Sequence, residues 1–235
     1  MSDLVTYALD GRVARITLDD GKANALSHPL MAQALAALDR AEAEARAVLI
    51  VGRPGRFSAG FDLRGMMAGR EAAIDLLRTG ARLFLRLFGF PRPVVIACTG
   101  HAIAGGALTL LTADRRIGAR GDFKIGLNEV AIQMTLPRLG VELARARLDR
   151  RHLTDATLCA RLYDPEGAAA IGFLDAAVDP DALAETAAAE AEALAKLSPA
   201  AFAGTKLRLR EATIARIERA FERDLGELVT PDGRG

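Results

Sequence analysis

Apolar residues along this chain recur in two patterns, short unbroken runs and runs spaced by three and four. Val94-Val95-Ile96-Ala97-Cys98 is an unbroken run flanked upstream by Pro91 and Pro93, which predicts a strand buried on both faces. Ala47 to Val51 is a second such run. Residues 4–9 and 12–18 read as two short strands around the turn pair Asp10-Gly11, a hairpin signal. Ser27, with Pro29 in the first turn, predicts the start of a helix to about Ala45, with Leu30, Met31, Ala34, Leu35 and Leu38 on one face. The spacing of Ile74, Leu77, Ala81, Phe84 and Phe88 predicts another over 71–88. Arg116 to Ala119 is a short strand, and Phe123 to Ile132 reads as an extended loop segment. Past Pro137 the pattern is helical to the end: Asp179-Pro180 begins an Ala-rich helix, Ser198-Pro199 caps the last one, and Ile214, Ile217, Phe221 and Leu225 form its stripe. The tail from Thr230 is expected to fray. Strand, turn and helix units recur, which indicates an α/β chain with a helical C-terminal portion.

Composition narrows the function classes. In 235 residues the hydrophobic fraction is 51%, the charged fraction 26% and the formal net charge +1, so nothing pulls the chain toward nucleic acid or an anionic membrane. No stretch resembles a signal peptide, and no apolar run approaches ~18 residues. Cys98 and Cys159 lie in apolar surroundings without a CxxC partner. They read as buried free thiols in a reducing cytosol. The three histidines, His28, His101 and His152, are scattered, which argues against a metal site.

Candidate chemistry concentrates in three places. After the buried strand at 94–98, the small-residue corner Ala104-Gly105-Gly106-Ala107 opens a helix through Leu108, Leu110 and Leu111. Its free N–H groups and the positive end of the helix dipole suit a negative oxygen, either a bound phosphate or a charge that forms during reaction. The corner lacks GxGxxG and is not followed by GK[ST], and Ser58 in FSAGF is not a GxSxG elbow. Glycines at such a corner also serve as plain packing devices. In Phe57 to Leu63, Gly60 permits a backbone that exposes the N–H of Phe61, while Asp62 caps a turn. Glu129 stands among Ile125, Leu127, Val130 and Ile132. It is either a solvated loop carboxylate or a desolvated one with a raised pKa suited to a general base. His101 reads as a packed structural histidine, and Asp114-Arg115-Arg116 as a surface salt-bridge cluster or subunit contact.

Taken in order, Arg15-Ile16-Thr17-Leu18, Lys22-Ala23-Asn24-Ala25-Leu26, Phe57-Ser58-Ala59-Gly60-Phe61-Asp62-Leu63, Gly100-His101-Ala102-Ile103-Ala104-Gly105-Gly106, Gly126-Leu127-Asn128-Glu129-Val130 and the segment 168–178 make the chain resemble the crotonase superfamily, the enoyl-CoA hydratase/isomerase group. The resemblance implies an α/β fold, a crotonase (ClpP-like) spiral of ββα units over 1–180, with a helical C-terminal trimerisation region over 181–235. It implies a cytoplasmic enzyme, a homotrimer or dimer of trimers, whose partner is an acyl-CoA thioester rather than nucleic acid or membrane, with no other cofactor and no metal. By position the amides of Phe61 and Gly105 would hold the thioester oxygen. Lys22, Ala23, Leu26, Ala59, Asp62 and Leu63 would line the CoA, and Glu129 matches one of the family's two acid/base glutamates. The second glutamate is replaced by Leu108. Hydration needs one group for the water and one for the α proton, whereas moving a double bond needs one base. The resemblance therefore favours an isomerase over a hydratase, with a catalytically weak acyl-CoA binding protein as the alternative outside enzymes. Ala104 and Gln133 stand where glycines are usual, and Arg138-Leu139-Gly140 departs from the expected glycine-rich turn.

Overall fold

A computed structural model describes residues 3–228; the tail from Thr230 lies outside the described residues. The chain runs β1 (Val5–Asp10), β2 (Val13–Leu18), α1 (His28–Glu44), β3 (Ala47–Val51), β4 (Gly55–Ser58), α2 (Leu63–Met67), α3 (Arg70–Phe88), β5 (Val94–Cys98), β6 (Gly100–Ile103) and α4 (Gly105–Thr112). It continues through β7 (Arg115–Ala119), β8 (Ile125–Gly126), α5 (Arg138–Arg147), α6 (Leu153–Thr157), α7 (Pro165–Ile171), β9 (Ala176–Val178), α8 (Pro180–Leu194) and α9 (Pro199–Leu228).

Two sheets divide the strands. The larger has the order β1-β2-β3-β5-β7-β9 and the smaller β4-β6-β8. Among the described residues the β1–β2 hairpin is antiparallel and the other paired strands run parallel. Each turn of the chain lays one strand in the large sheet and the next in the small one: β3 then β4, β5 then β6, β7 then β8. Helices follow the first two of these pairs, so repeated ββα turns stack as a spiral. Successive side chains of a strand point to opposite faces, and here both faces are covered. Val48, Ile50, Val94 and Ile96 join the main core with α1, α3 and α4, while Ala47, Leu49, Val95 and Ala97 face Leu183, Ala187 and Ala191 of α8. That double burial is the reason β3 and β5 are apolar at every position.

Helix starts follow local chemistry. Ser27 Oγ accepts from the Leu30 amide at 3.4 Å, and Asp164 accepts from the Gly167 amide at 2.7 Å to begin α7. Three expectations are corrected. The region past Pro137 is not helical throughout, because β9 pairs with β7. It is three residues long, too short to print a period. The expected loop 123–132 contains β8 and a 3-10 turn over Val130–Ile132. Of the two thiols, Cys98 is buried as expected, but Cys159 is exposed, since it lies past the end of α6 rather than inside it.

Candidate active site

The three strands of the small sheet run parallel, so their carboxyl ends share one edge, the usual place for a ligand in a parallel α/β arrangement. Phe61, Gly105 and Glu129 each follow the end of one of these strands, β4, β6 and β8, by two or three residues. The pairing Ile103↔Gly126 and the bond from the Ala104 amide to Gly126 O at 3.0 Å bring the segment leading to Glu129 beside the corner that opens α4.

Two corners meet there. Gly60 has φ +90, and a Cβ on it would stand 3.0 Å from Gly105 N. Gly106 is closer still: its Cβ would fall 2.2 Å from Ser58 O. These glycines let two chain reversals touch, which any side chain would prevent. Gly105 is the first residue of α4, so its N–H has no partner inside the helix. The Phe61 N–H likewise donates to no acceptor among the described residues. The ring of Phe61 turns the other way, packing edge-on to Phe84 at 5.9 Å and filling the space above Gly80, where a Cβ would sit 2.3 Å from it.

The loop 22–26 is stitched to the first corner. Ala59 N donates to Ala23 O at 3.0 Å and Leu26 N to Gly60 O at 2.8 Å. Sequence reasoning gave no role to the residues that fasten this seam. Asn24, fully buried with φ +50, donates through Nδ2 to Leu18 O at 2.8 Å and Phe57 O at 3.2 Å. Ser58 Oγ donates to Asn24 O at 2.7 Å. Asp20 accepts from the amides of Lys22, Asn24 and Ala25. Burial alone would raise the Asp20 pKa, but those donors hold it below the usual carboxylate range. The available signal was Asn24 itself, because asparagine enters left-handed backbone more readily than other non-glycine residues.

Glu129 is 7% exposed, and its Oε2 has no hydrogen-bond partner among the described residues. Burial raises its pKa above the ordinary carboxylate value. Of the two readings left open by the sequence, the desolvated carboxylate is the one observed. Leu108 is buried in the first turn of α4. The segments expected to line CoA divide by exposure. Lys22, Ala23, Ala59 and Leu63 reach the surface in whole or part, whereas the Leu26 side chain lies in the core. Asp62 caps α2 by accepting from the Arg64 amide at 3.3 Å. Among the described residues no cluster of three or more His, Cys, Asp or Glu could hold a metal.

His101 accepts from the Lys124 amide at 3.0 Å and packs edge-on against Phe123, as a structural histidine would. Of the Asp114-Arg115-Arg116 cluster, Arg115 stays at the surface as expected, paired with Glu190 at 2.8 Å, whereas Asp114 and Arg116 are corrected from surface to interior. Asp114 pairs with Lys206 at 2.7 Å and Arg210 at 2.9 Å, both from α9, and Arg116 is buried against Asp175 at 2.8 Å.

A spiral of ββα turns, with two free amides and a buried carboxylate at one strand edge, defines a crotonase-superfamily protein. The sequence matches the enoyl-CoA hydratase/isomerase family over residues 9–230, and the chain belongs to that family. An enoyl-CoA hydratase/isomerase family protein from Pseudomonas syringae is 44% identical with a TM-score of 0.94, covering 96% of this chain and 98% of its own. A Thermus thermophilus protein that carries an enoyl-CoA hydratase name is 34% identical over 83% of this chain and 79% of its own. The human mitochondrial delta3-delta2-enoyl-CoA isomerase is 27% identical with a TM-score of 0.92, over 96% of this chain and 90% of its own.

Proposed function

We propose that this chain moves the double bond of a 3-enoyl-CoA thioester to the 2-position. The observation that carries the reading is a buried carboxylate, Glu129, whose Oε2 has no partner among the described residues, on the same strand edge as two free amides, with Leu108 in place of a second acid. In the proposed cycle Glu129 takes a proton from C2. The C2–H electrons form a C1–C2 double bond as the carbonyl π electrons move onto the thioester oxygen, giving a dienolate. Its C2–C3 double bond forms only when the carbonyl is restored and the old C3–C4 electrons take up the proton at C4. The N–H groups of Phe61 and Gly105 donate to that oxygen; one such donor is worth roughly 10²–10³ in rate. The charge then returns along the chain, and Glu129 delivers the same proton to C4. Burial suits this task, since raising the pKa makes the carboxylate a stronger base toward the C2 proton. The 22–26 and 59–63 loops would lie along the CoA, and no other cofactor enters the cycle. Two unpaired cysteines support a reducing, cytoplasmic setting, and the assembly is proposed as a homotrimer or a dimer of trimers.

Incubation with 3-enoyl-CoA and with 2-enoyl-CoA tests the reading. Isomerisation predicts 2-enoyl-CoA from the former, lost in Glu129→Gln. Formation of 3-hydroxyacyl-CoA from the latter would make the protein a hydratase instead. Thioester binding with neither product would leave a binding protein.

A further inference from the structure

One cavity shares walls with both amide-bearing corners. It has a volume of about 30 Å³ and is lined by Phe61, by Leu108 of the first α4 turn, by Leu77 and Phe84 of α3 and by Phe221 and Leu225 of α9. The one ionisable group on its wall, Asp224, is drawn away: its Oδ2 accepts from the Arg138 amide at 2.5 Å, at the start of α5. The cavity is therefore an apolar pocket whose lining includes residue 61 and, three residues past Gly105, Leu108. A water-sized group needs roughly 10–15 Å³ of such volume, so the pocket admits about two or three methylenes.

A larger groove of about 630 Å³ begins after Glu129, lined by Val130, Met134, Leu136 and Leu158 among others. It shares no residue with either amide-bearing corner. Of the two, the small pocket is the one whose lining includes Phe61, and Leu108 at the position of the missing second acid.

Resting on the acyl-CoA reading above, we infer that this pocket receives the acyl tail and that Phe221 on α9 is its end stop, which makes the protein selective for short acyl chains of about four to six carbons. α9 is held in place by its packing on α3 and α5 of its own chain and by the Arg78–Glu222 ion pair at 2.7 Å. A longer tail must displace it. Each methylene that enters an apolar pocket strengthens binding by about four-fold, and that gain stops where Phe221 blocks the chain.

The test is calorimetric binding of saturated acyl-CoAs from butanoyl to dodecanoyl, which needs no turnover. Affinity is expected to rise to about hexanoyl and fall for decanoyl and dodecanoyl. Phe221→Ala should move the optimum two or more carbons longer and tighten decanoyl-CoA about ten-fold. Phe221→Leu, the milder change should the first variant fold poorly, should move it the same way by less. Affinity that climbs steadily to dodecanoyl in the unsubstituted protein overturns the inference, as does an optimum unmoved in both variants; sensitivity to Met134→Ala would then place the tail in the larger groove. Failure to bind any acyl-CoA overturns the acyl-CoA reading itself along with it.

Discussion

Glu129 carries two opposed consequences of its burial. The folded chain keeps its proton to a higher pH than the unfolded chain does, so between the ordinary glutamate value and the raised one the native state binds more protons. Stability is therefore lost as pH rises through that window, and the full cost is present above it. Glu129→Gln should abolish turnover by roughly 10²–10⁴-fold and raise the melting temperature at pH 7. That gain should shrink as the pH falls and the native carboxylate becomes protonated; thermal unfolding at pH 7 and pH 4.5 reads it. Ala104 is strained for another reason. It sits at φ +52, ψ −121, where only glycine rests easily, at a cost of order 1–3 kcal/mol. Ala104→Gly relieves that strain while adding unfolded-chain entropy of about 0.5–1 kcal/mol, so urea denaturation should show a net gain of about 1 kcal/mol. Gln133, at φ +63, obeys the same logic, and both positions explain why glycine is the usual occupant.

At the scale of elements, α4 is an eight-residue helix whose two ends are managed separately. Its first amide faces the site. Its last carbonyls face cations from other helices: Arg210 Nη1 donates to Thr112 O at 3.1 Å, and Arg147 Nη2 to Ala113 O at 2.9 Å. Positive charge at a helix C-terminus complements the dipole. Asp114 is the shared counter-charge, and removing one partner of a buried pair costs about 3–5 kcal/mol. Asp114→Asn is accordingly expected to destabilise the fold by that order in urea. Lys206 shows the charge balance of this cluster. Burial, with Arg210 and Arg147 nearby, outweighs Asp114 and brings its pKa down to about 8 from 10.5. Between those values the unfolded chain holds a proton that the native chain has released, so this group's contribution to stability rises with pH from about 8 to 10.5. Lys206→Met should flatten that slope in unfolding curves taken at pH 7.5, 9 and 10. The sequence disclosed β3, β5, α1 and α3 because burial on one or both faces imposes a period on many residues. It did not disclose β9, which is three half-buried residues, or the interior place of Asp114, whose partners lie about ninety residues away in α9. The corners at 60 and 105 were visible as glycines, but that they touch is a fact of the sheet pairing, and Asn24 and Ser58 fasten a seam that exists only after the strands assemble.

Across the whole molecule, the spiral gathers the carboxyl ends of β4, β6 and β8 into one edge, so residues 61, 105 and 129 converge though far apart in the chain. The least supported member of that edge is the turn after Glu129. Its residues Val130 and Ile132 are 45% and 49% exposed, and Leu158 nearby in the same apolar groove region is 68% exposed. Apolar exposure of this kind suits a contact with another chain, and in the proposed trimer a second copy would cover it. Such a contact would couple assembly to catalysis, because hiding Ile132 would also hold the turn that carries Glu129. Sedimentation analysis should give a mass three or six times that of the 24.9 kDa chain. Ile132→Glu, which places a charge on the covered face, should shift that mass toward the single chain and lower turnover about ten-fold or more, while circular dichroism stays unchanged. A monomeric variant with full turnover would separate the two, leaving Glu129 positioned by its own chain alone, through the bonds from the Ile132 and Met134 amides to its carbonyl at 3.1 and 2.9 Å.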